Sequence, residues 1–368
     1  MFFFKIIDFI CRYEIFFVPL HAKYTRVKRV LYILGVLLAG LALVGGTFIA
    51  ALSSDKVETA AVRLAAAELS RALGTNAQVG SVSYQFPARL TIKDIYLEDR
   101  QGDTLAFVGE AFAQFSPLAL RHGEIKFSHV RLNDVLADVH QIEIPSAEGT
   151  STKEWNYQFL VDAFRADEKK ESDPMRSIVA VKDVQLDNIR LRYEDYEAFV
   201  SHADMDLHRL SAETLDAEIT ELSAVVDKKP SGGDLQPPLV IKDLDAHVIL
   251  TDSLLNVPIM HAQLPQSELE LSEISLRLPF EAASLDAPLR IDAELVPAEI
   301  SLFVPALKTL KRPIGLTGSV SGALDSVAFS DMVLRYNGKP ILQGDVAAIG
   351  LPDMSNPYLR ANLTDVHT

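Results

Sequence analysis

The sequence predicts a mainly β protein on a single N-terminal transmembrane helix, its strands forming a long curled antiparallel sheet with a few short helices. Three observations lead there. An uncharged apolar run of 25 residues, Val30 to Ser54, stands near the start. From Ala77 onward, short alternating apolar–polar runs follow one another with turn residues between them. Within those runs, one strand signature recurs, interrupted each time by a polar–acidic pair.

The first observation fixes the topology. A helix needs roughly 20 apolar residues to cross the hydrocarbon core of a bilayer, and residues 30–52 supply them. Lys23, Arg26, Lys28 and Arg29 flank the N-terminal side, and Asp55 and Glu58 follow the other end. The positive-inside rule therefore keeps residues 1–29 cytoplasmic and exports the rest. A cleaved signal peptide is the alternative, with Ala50, Ala51 and Ser53 near its end. The run exceeds the usual signal core of about 7–15 residues, so a retained anchor is the reading. Residues 1–20 are apolar and aromatic. They suit an interfacial segment and equally an over-long start assignment, and no function is read from them.

Charge divides at the same place. Residues 1–52 carry six Lys/Arg and two Asp/Glu, which leaves 29 basic and 48 acidic residues after them, a net of −19. Such a surface excludes nucleic acid and anionic headgroups as general partners. The single cysteine, Cys11, precedes the anchor, so no disulfide framework holds the exported part. Its stability must come from apolar burial and backbone pairing.

Residues 53–74 hold an amphipathic helix. Ser54 or Asp55 caps it, Val57, Ala61, Leu64, Ala65 and Leu69 share one stripe, and Gly74 stops it. Residues 75–368 are the β region. Strands are expected at Val79–Phe86, Arg89–Asp99, Thr104–Phe115, Glu124–Asn133 and Asp134–Glu143. A helix is expected from Trp155 to Phe164, with Ser151 or Thr152 as its cap. Strands resume at Ile178–Tyr193 and Phe199–Val226. Residues 228–238, KKPSGGDLQPP, read as a linker or long loop. Leu239–Leu278, Leu289–Val296 and Ile314 to the end are again strands, with a short helix over Glu299–Leu310 broken by Pro305.

The recurring signature is two alternating apolar residues, a polar–acidic pair, then two more alternating apolar residues. It places Leu90 and Ile92 before Lys93-Asp94, with Ile95 and Leu97 after. Val179 and Val181 precede Lys182-Asp183, with Val184 and Leu186 after. Leu239 and Ile241 precede Lys242-Asp243, with Leu244 after. Looser copies hold Val130 and Leu132 before Asn133-Asp134, Leu269 and Leu271 with Ile274 and Leu276 around Ser272-Glu273, and Val327 and Phe329 before Ser330-Asp331. Side chains alternate faces with period two, so a flat strand would split each apolar set. One extra residue at the pair restores the phase, as a β-bulge does, and bends the strand. All these apolar residues are then expected to line one apolar concave face. The copies start 40, 49, 60, 30 and 58 residues apart, too irregular for a fixed-repeat solenoid.

No catalytic constellation is present. The nine His lack HxH or HExxH spacing, and no GxSxG occurs. Gly315, Gly318 and Gly322 lie in a strand-like run without the Lys-Ser/Thr of a phosphate loop, and are expected to ease close strand packing. No cofactor, metal site or enzymatic activity is expected.

The order of a basic leader, one membrane helix, LSSDKVETAAVRLAAAELSRALGT and VGSVSYQFPARLTIKDIYLEDRQGDTLAF resembles the N-terminal end of TamB proteins of the AsmA-like superfamily, most closely those of Bacteroidetes. The stretch from VPAEISLFVPAL through RPIGLTGSVSGALDSVAFSDMVLRYNG to GDVAAIGLPD is similar to the same proteins. The resemblance spans residues 30–368 and rests on soft strand patterns. It implies an inner-membrane anchor, a periplasmic body, and an apolar β-groove in a Gram-negative cell. The function it implies is to conduct phospholipid between inner and outer membranes, or to scaffold outer-membrane protein assembly and secretion with a TamA- or BamA-like barrel. The C-terminal part that would engage such a barrel has no counterpart here, and a longer parent protein is expected.

Overall fold

The computed structural model describes residues 70–366, apart from 72, 86–87, 117, 119–125, 146–150, 161–179, 211–213, 230–236, 279–283, 303–306, 308, 324 and 351–357. The leader, the anchor and nearly all of the helix expected at 53–74 lie outside these residues. Its last turn is present, closed at Gly74 (φ +71°), whose N–H donates to the Ser70 carbonyl at 2.9 Å. Among the described residues no helix is long and apolar enough to cross a membrane.

The chain is mainly β, and its described strands divide into two compact units, one ending at Ala212 and the other beginning at Glu213. The first holds β1 (Ala77–Gln85), β2 (Arg89–Glu98), β3 (Thr104–Phe115), β4 (Lys126–Val139), β5 (Gln141–Pro145), β6 (Ser151–Trp155), β7 (Ala180–Tyr193) and β8 (Tyr196–Leu210). Six of them pair in the order β1-β2-β3-β4-β7-β8, while β5 and β6 form a separate hairpin. The second holds β9 (Leu215–Lys228), β10 (Leu239–Ile241), β11 (Asp243–Leu250), β12 (Leu254–Gln263), β13 (Glu268–Arg277), β14 (Ser284–Leu285), β15 (Leu289–Leu295), β16 (Ile314–Ala323), β17 (Ser326–Tyr336), β18 (Lys339–Ile349) and β19 (Tyr358–Val366). It is an antiparallel meander. β9 pairs with β10 and β11, β11 leads through β12 to β13, and β13 meets β14 and β15. From β15 the pairing runs on to β19.

Several expectations need correction. The sheet is not wholly antiparallel, because β4 and β7 pair in parallel, Lys126 opposite Ala180 through Val139 opposite Tyr193. Residues 140–179 carry the chain back to the starting end, and a parallel return needs such a long crossover. The strands expected at 124–133 and 134–143 are one strand, β4, running straight through Asn133-Asp134. Trp155 does not open a helix. It closes β6, and helical residues follow at 158–160, where this described stretch ends. The hairpin base explains this. Asn156, 1% exposed, donates its side-chain amide to the Asp138 carbonyl at 2.8 Å, and its backbone N–H donates to the His140 carbonyl at 3.0 Å. That bonding extends the hairpin to Trp155. Of the short helix expected over 299–310, residues 299–302 are turns, residues 307 and 309 are 3₁₀ helical, and 303–306 and 308 lie outside the described residues.

Candidate functional site: apolar sheet faces

In the first unit, the six strands place their apolar residues in register. One row across the sheet runs Tyr84, Leu90, Ala113, Val130, Val184, Met205. The next runs Val82, Ile92, Ala111, Leu132, Leu186, Ala203. Two further rows are led by Val79–Ile95–Val108 and by Ala77–Leu97–Ala106. Between the second and third rows lie two polar ones. Ser81, Lys93, Glu110, Asn133, Asp187 and His202 make one. The registers on either side set Gly80, Asp94, Gly109, Asp134, Asn188 and Ser201 side by side as the other.

Those two polar rows are where every strand changes phase. Asp94, Asp134 and Asn188 take φ of 54°, 56° and 56°, a left-handed conformation that Asp and Asn tolerate better than most residues. The register is unchanged across the row. Val79 faces Ile95 on one side and Ser81 faces Lys93 on the other. No strand carries an extra residue relative to its neighbour, because all six switch together. This is the expected phase correction without a counted bulge. Lys93 and Asp94 are both exposed, while Leu90 and Ile92 are 2% and 3% exposed on the opposite face. Gly80 and Gly109 flank the left-handed residues for a steric reason. A Cβ on Gly80 would lie 2.8 Å from the Asp94 Cβ, and one on Gly109 would lie 2.9 Å from the Asp134 Cβ.

The polar rows are cross-linked. Lys93 Nζ lies 3.0 Å from Glu110 Oε2, His202 Nδ1 lies 2.7 Å from Asp187 Oδ1, and Asn188 Nδ2 donates to Asn133 Oδ1 at 3.3 Å. Surface pairs such as Lys93–Glu110 add at most about 1 kcal/mol each, and the His202–Asp187 pair is half-buried. Their main effect is to hold register.

The apolar face packs upon itself. Leu90, Ile92, Val108, Ala111, Val135 and Ile189 form its buried centre, with Ile95, Leu132 and Leu186 packed against it. Val130 and Val181 pack with Phe127 at one end. Leu97 belongs to a cluster at the other end, formed with the hairpin's Trp155, Tyr157, Phe159 and Leu160. The hairpin, the residues that follow it and Leu73 of the helical turn before β1 pack against that end. A single-layer sheet withdraws such a face from water when its strands bend over it, and the row of left-handed residues supplies bends.

The second unit repeats the design differently. Leu244, Ala262, Leu269, Ala293, Leu316, Leu334 and Leu342 form one continuous row. Leu271 faces Met260 and Ile291, and Val320 joins Leu289 to Phe329. Leu269, Leu271, Ile274, Val327 and Phe329 pack on the cluster of Leu289, Ile291, Ala293 and Val320. Leu276 pairs with Leu255 and Leu285. Glu273 (φ 62°) switches β13 without a register shift. Asp331 (φ 52°) sits at a counted bulge, because the register slips by one residue against both β16 and β18. Gly318 (φ +149°) lies beside it, where a Cβ would come within 3.0 Å of the Met332 Cα. This is the close packing expected of that glycine.

Two predicted switches lie elsewhere. Lys182-Asp183 sits in regular pairing, with Asp183 opposite His129 and Asp206 and its carboxylate 2.7 Å from His129 Nδ1. The β7 switch falls at Asp187-Asn188, within Val184–Leu191, which fits the same signature five residues later. Parallel pairing with β4 puts it there. Lys242 is a bend separating β10 from β11, which opens at Asp243, and neither residue is left-handed. Leu239 and Ile241 pair there with Val226 and Ala224. Val179 lies outside the described residues.

Sequence reasoning missed Val108, Ala111, Val135, Ile189 and Ala203, which lie buried at the centre of the first face. A signal was available. Ala77–Tyr84, Ala106–Ala113 and Ala198–Met205 carry the same spacing around Gly80-Ser81, Gly109-Glu110 and Ser201-His202. Their alanines hid them, and the pairs Gly80-Ser81 and Ser201-His202 carry no acid.

Among the described residues, His261 is electrostatically shifted. The hydrogen bond from His261 Nε2 to Glu268 Oε1, 3.0 Å, raises its pKa above the usual value, helped by the charges of Asp245 and Asp243 and opposed by partial desolvation. No protein-family model matches the chain, and no curated protein is significantly similar to it.

Proposed function

We propose that this chain is a non-enzymatic, inner-membrane-anchored periplasmic protein of TamB-like, AsmA-superfamily type, anchored through residues 30–52. In this reading its apolar faces shelter phospholipid acyl chains between inner and outer membranes, in support of outer-membrane biogenesis. One observation carries the reading: each unit turns a broad set of in-register apolar rows to one face of a single sheet. A uniform aliphatic surface suits a sliding chain, since each sheltered methylene is worth about 0.8 kcal/mol and none is held by a specific polar contact. The resemblance of residues 30–368 to TamB proteins supports the same reading.

Native mass spectrometry of the full chain released from nanodiscs tests it. Phospholipid should remain bound, and Ile95→Asp should deplete it while the chain stays folded. A folded wild-type chain that retains no lipid would overturn the reading.

A scaffold for outer-membrane protein strands, acting with a barrel partner, is the second reading. The observation favouring it is β19, which pairs only with β18 among the described residues. A strand edge can accept an added strand. Client polypeptide in place of lipid would select it.

A further inference from the structure

We infer that the turn between β2 and β3 holds a hard, oxygen-seeking cation of the Ca²⁺ class, bound by Asp99 and Thr75 at the end of the sheet that the Trp155 hairpin covers. The observation that carries this is a buried carboxylate. Asp99 is 2% exposed. Its Oδ1 is taken, accepting from the Gln101 and Asp103 N–H groups at 2.8 and 2.9 Å. Its Oδ2 is buried and has no hydrogen-bond partner among the described residues. An ionised carboxylate withdrawn from water is costly unless a cation or a donor meets it. The cationic side chains at this end are turned elsewhere. Arg100 lies 5.4 Å from the centroid of the Phe159 ring, and Arg192 pairs with Asp138 and Glu197 at 3.7 and 3.6 Å.

A second oxygen is left in the same way. Thr75 Oγ1 is buried and has no hydrogen-bond partner among the described residues. Ala77 pairs with Leu97, and the Asn76 carbonyl accepts from the Glu98 N–H at 3.0 Å. That register sets Thr75 opposite Asp99. Period two puts both on the side of Ala77 and Leu97, where Leu73, Leu105, Phe159 and Leu160 pack. Each position is fixed by its own bonds. Ser70 Oγ accepts from the Ala77 N–H and donates to the Ala77 carbonyl, both at 2.9 Å, which ties the helical turn before Thr75 to β1. The Asp99 N–H donates to the Asp103 carbonyl at 2.8 Å and closes the turn on the other side. Glu98 and Asp103 lie beside Asp99 in the chain and make the local charge negative. The donors are one carboxylate and one hydroxyl, with carbonyls and water to complete the set. Ca²⁺ accepts about six to eight such oxygens in a flexible geometry, whereas Zn²⁺ and Cu²⁺ prefer nitrogen or sulfur.

Trp155 is the only tryptophan in the chain and shares a buried cluster with Leu97 and Leu105, the residues that flank this turn. It therefore serves to sensitise a lanthanide bound there. The full chain in a zwitterionic detergent is stripped of metal with a chelator and titrated with Tb³⁺, a luminescent stand-in for Ca²⁺. Tryptophan-sensitised Tb³⁺ emission should saturate at a single equivalent, and Ca²⁺ should displace it. Asp99→Asn keeps the Oδ1 acceptor that holds the turn and removes the charge, so it should weaken Tb³⁺ binding about tenfold or more. Thr75→Val should weaken it several-fold. Asp134→Asn, on the polar rows, should leave it unchanged. Hydrogen exchange reads the site without any variant, because Ca²⁺ should slow the amides of residues 99–103 in the wild-type chain. A folded chain with no sensitised emission, emission that Asp99→Asn leaves unchanged, or exchange at 99–103 that is indifferent to Ca²⁺ would overturn the site.

Discussion

The two units solve one problem in two ways. Both keep apolar residues of odd spacing on a single face, and both do it with a left-handed acidic or amide residue. In the first unit β2, β4 and β7 switch at one row, facing Gly80, Gly109 and Ser201, and the register does not slip at that row. In the second unit β17 carries one residue more than β16 and β18 at Asp331, and Gly318 takes the strain on one side. A shared row shifts every strand equally and preserves the ladder. A lone bulge shifts one strand and must be absorbed by its neighbours' backbones.

That difference orders the expected costs of substitution. Gly318→Val should be the most damaging. It adds a β-branched side chain at φ +149° and forces it onto the Met332 Cα, combining strain of about 1–3 kcal/mol with overpacking of similar size. Urea unfolding of the full chain should show a loss of about 2–5 kcal/mol in the second unit's transition. Gly109→Val should cost less, about 1–3 kcal/mol, because its backbone is not left-handed and the clash is with the Asp134 Cβ alone. Equal losses at the two positions would break the distinction between row and bulge.

Asp94→Val probes the left-handed residue itself. A β-branched side chain at φ 54° should lower stability by about 1–2 kcal/mol, with Asp94→Asn near neutral. If Asp94→Val is as stable as wild type, the phase switch does not depend on that conformation.

The β character and the face were legible in the sequence for a physical reason. Period-two alternation is local, and a phase error such as the one at Lys93-Asp94 can be seen within eight residues. Thr104–Phe115 was read with its observed bounds, and the switches at Asn133-Asp134, Ser272-Glu273 and Ser330-Asp331 fall where the pattern puts them. Non-local facts were not legible. The parallel pairing of β4 with β7 depends on where a long crossover returns, and it moved the β7 switch from Asp183 to Asn188. Trp155 has helical spacing with Phe159, but Asn156 bonds to Asp138 and His140 held it in a hairpin. The alanine-lined face of β3 was invisible to a search for large apolar residues.

The smallest expected effect is on pH, and it belongs to the second unit alone. His261 has a folded-state pKa raised first by its hydrogen bond to Glu268. Its contribution to stability is therefore complete below about 6.5, the unfolded value, and is lost as pH rises through the folded pKa. An NMR titration should place His261 above the ordinary histidine value, and Glu268→Gln should lower it. A titration of His261 unaffected by Glu268→Gln would remove the pair from the account.

The central claim is that the apolar side of these sheets, and not the polar side, meets lipid. Ile95 and Tyr96 are chain neighbours on opposite faces of β2. Ile95 packs with the buried face, while the Tyr96 hydroxyl lies 3.3 Å from Thr104 Oγ1 on the other. A photoreactive amino acid placed at each position in the full chain, in membranes, makes the most direct comparison. Phospholipid adducts should form at position 95 and be at least fivefold fewer at position 96. Equal yields at the two positions, or adducts only at position 96, would contradict the account.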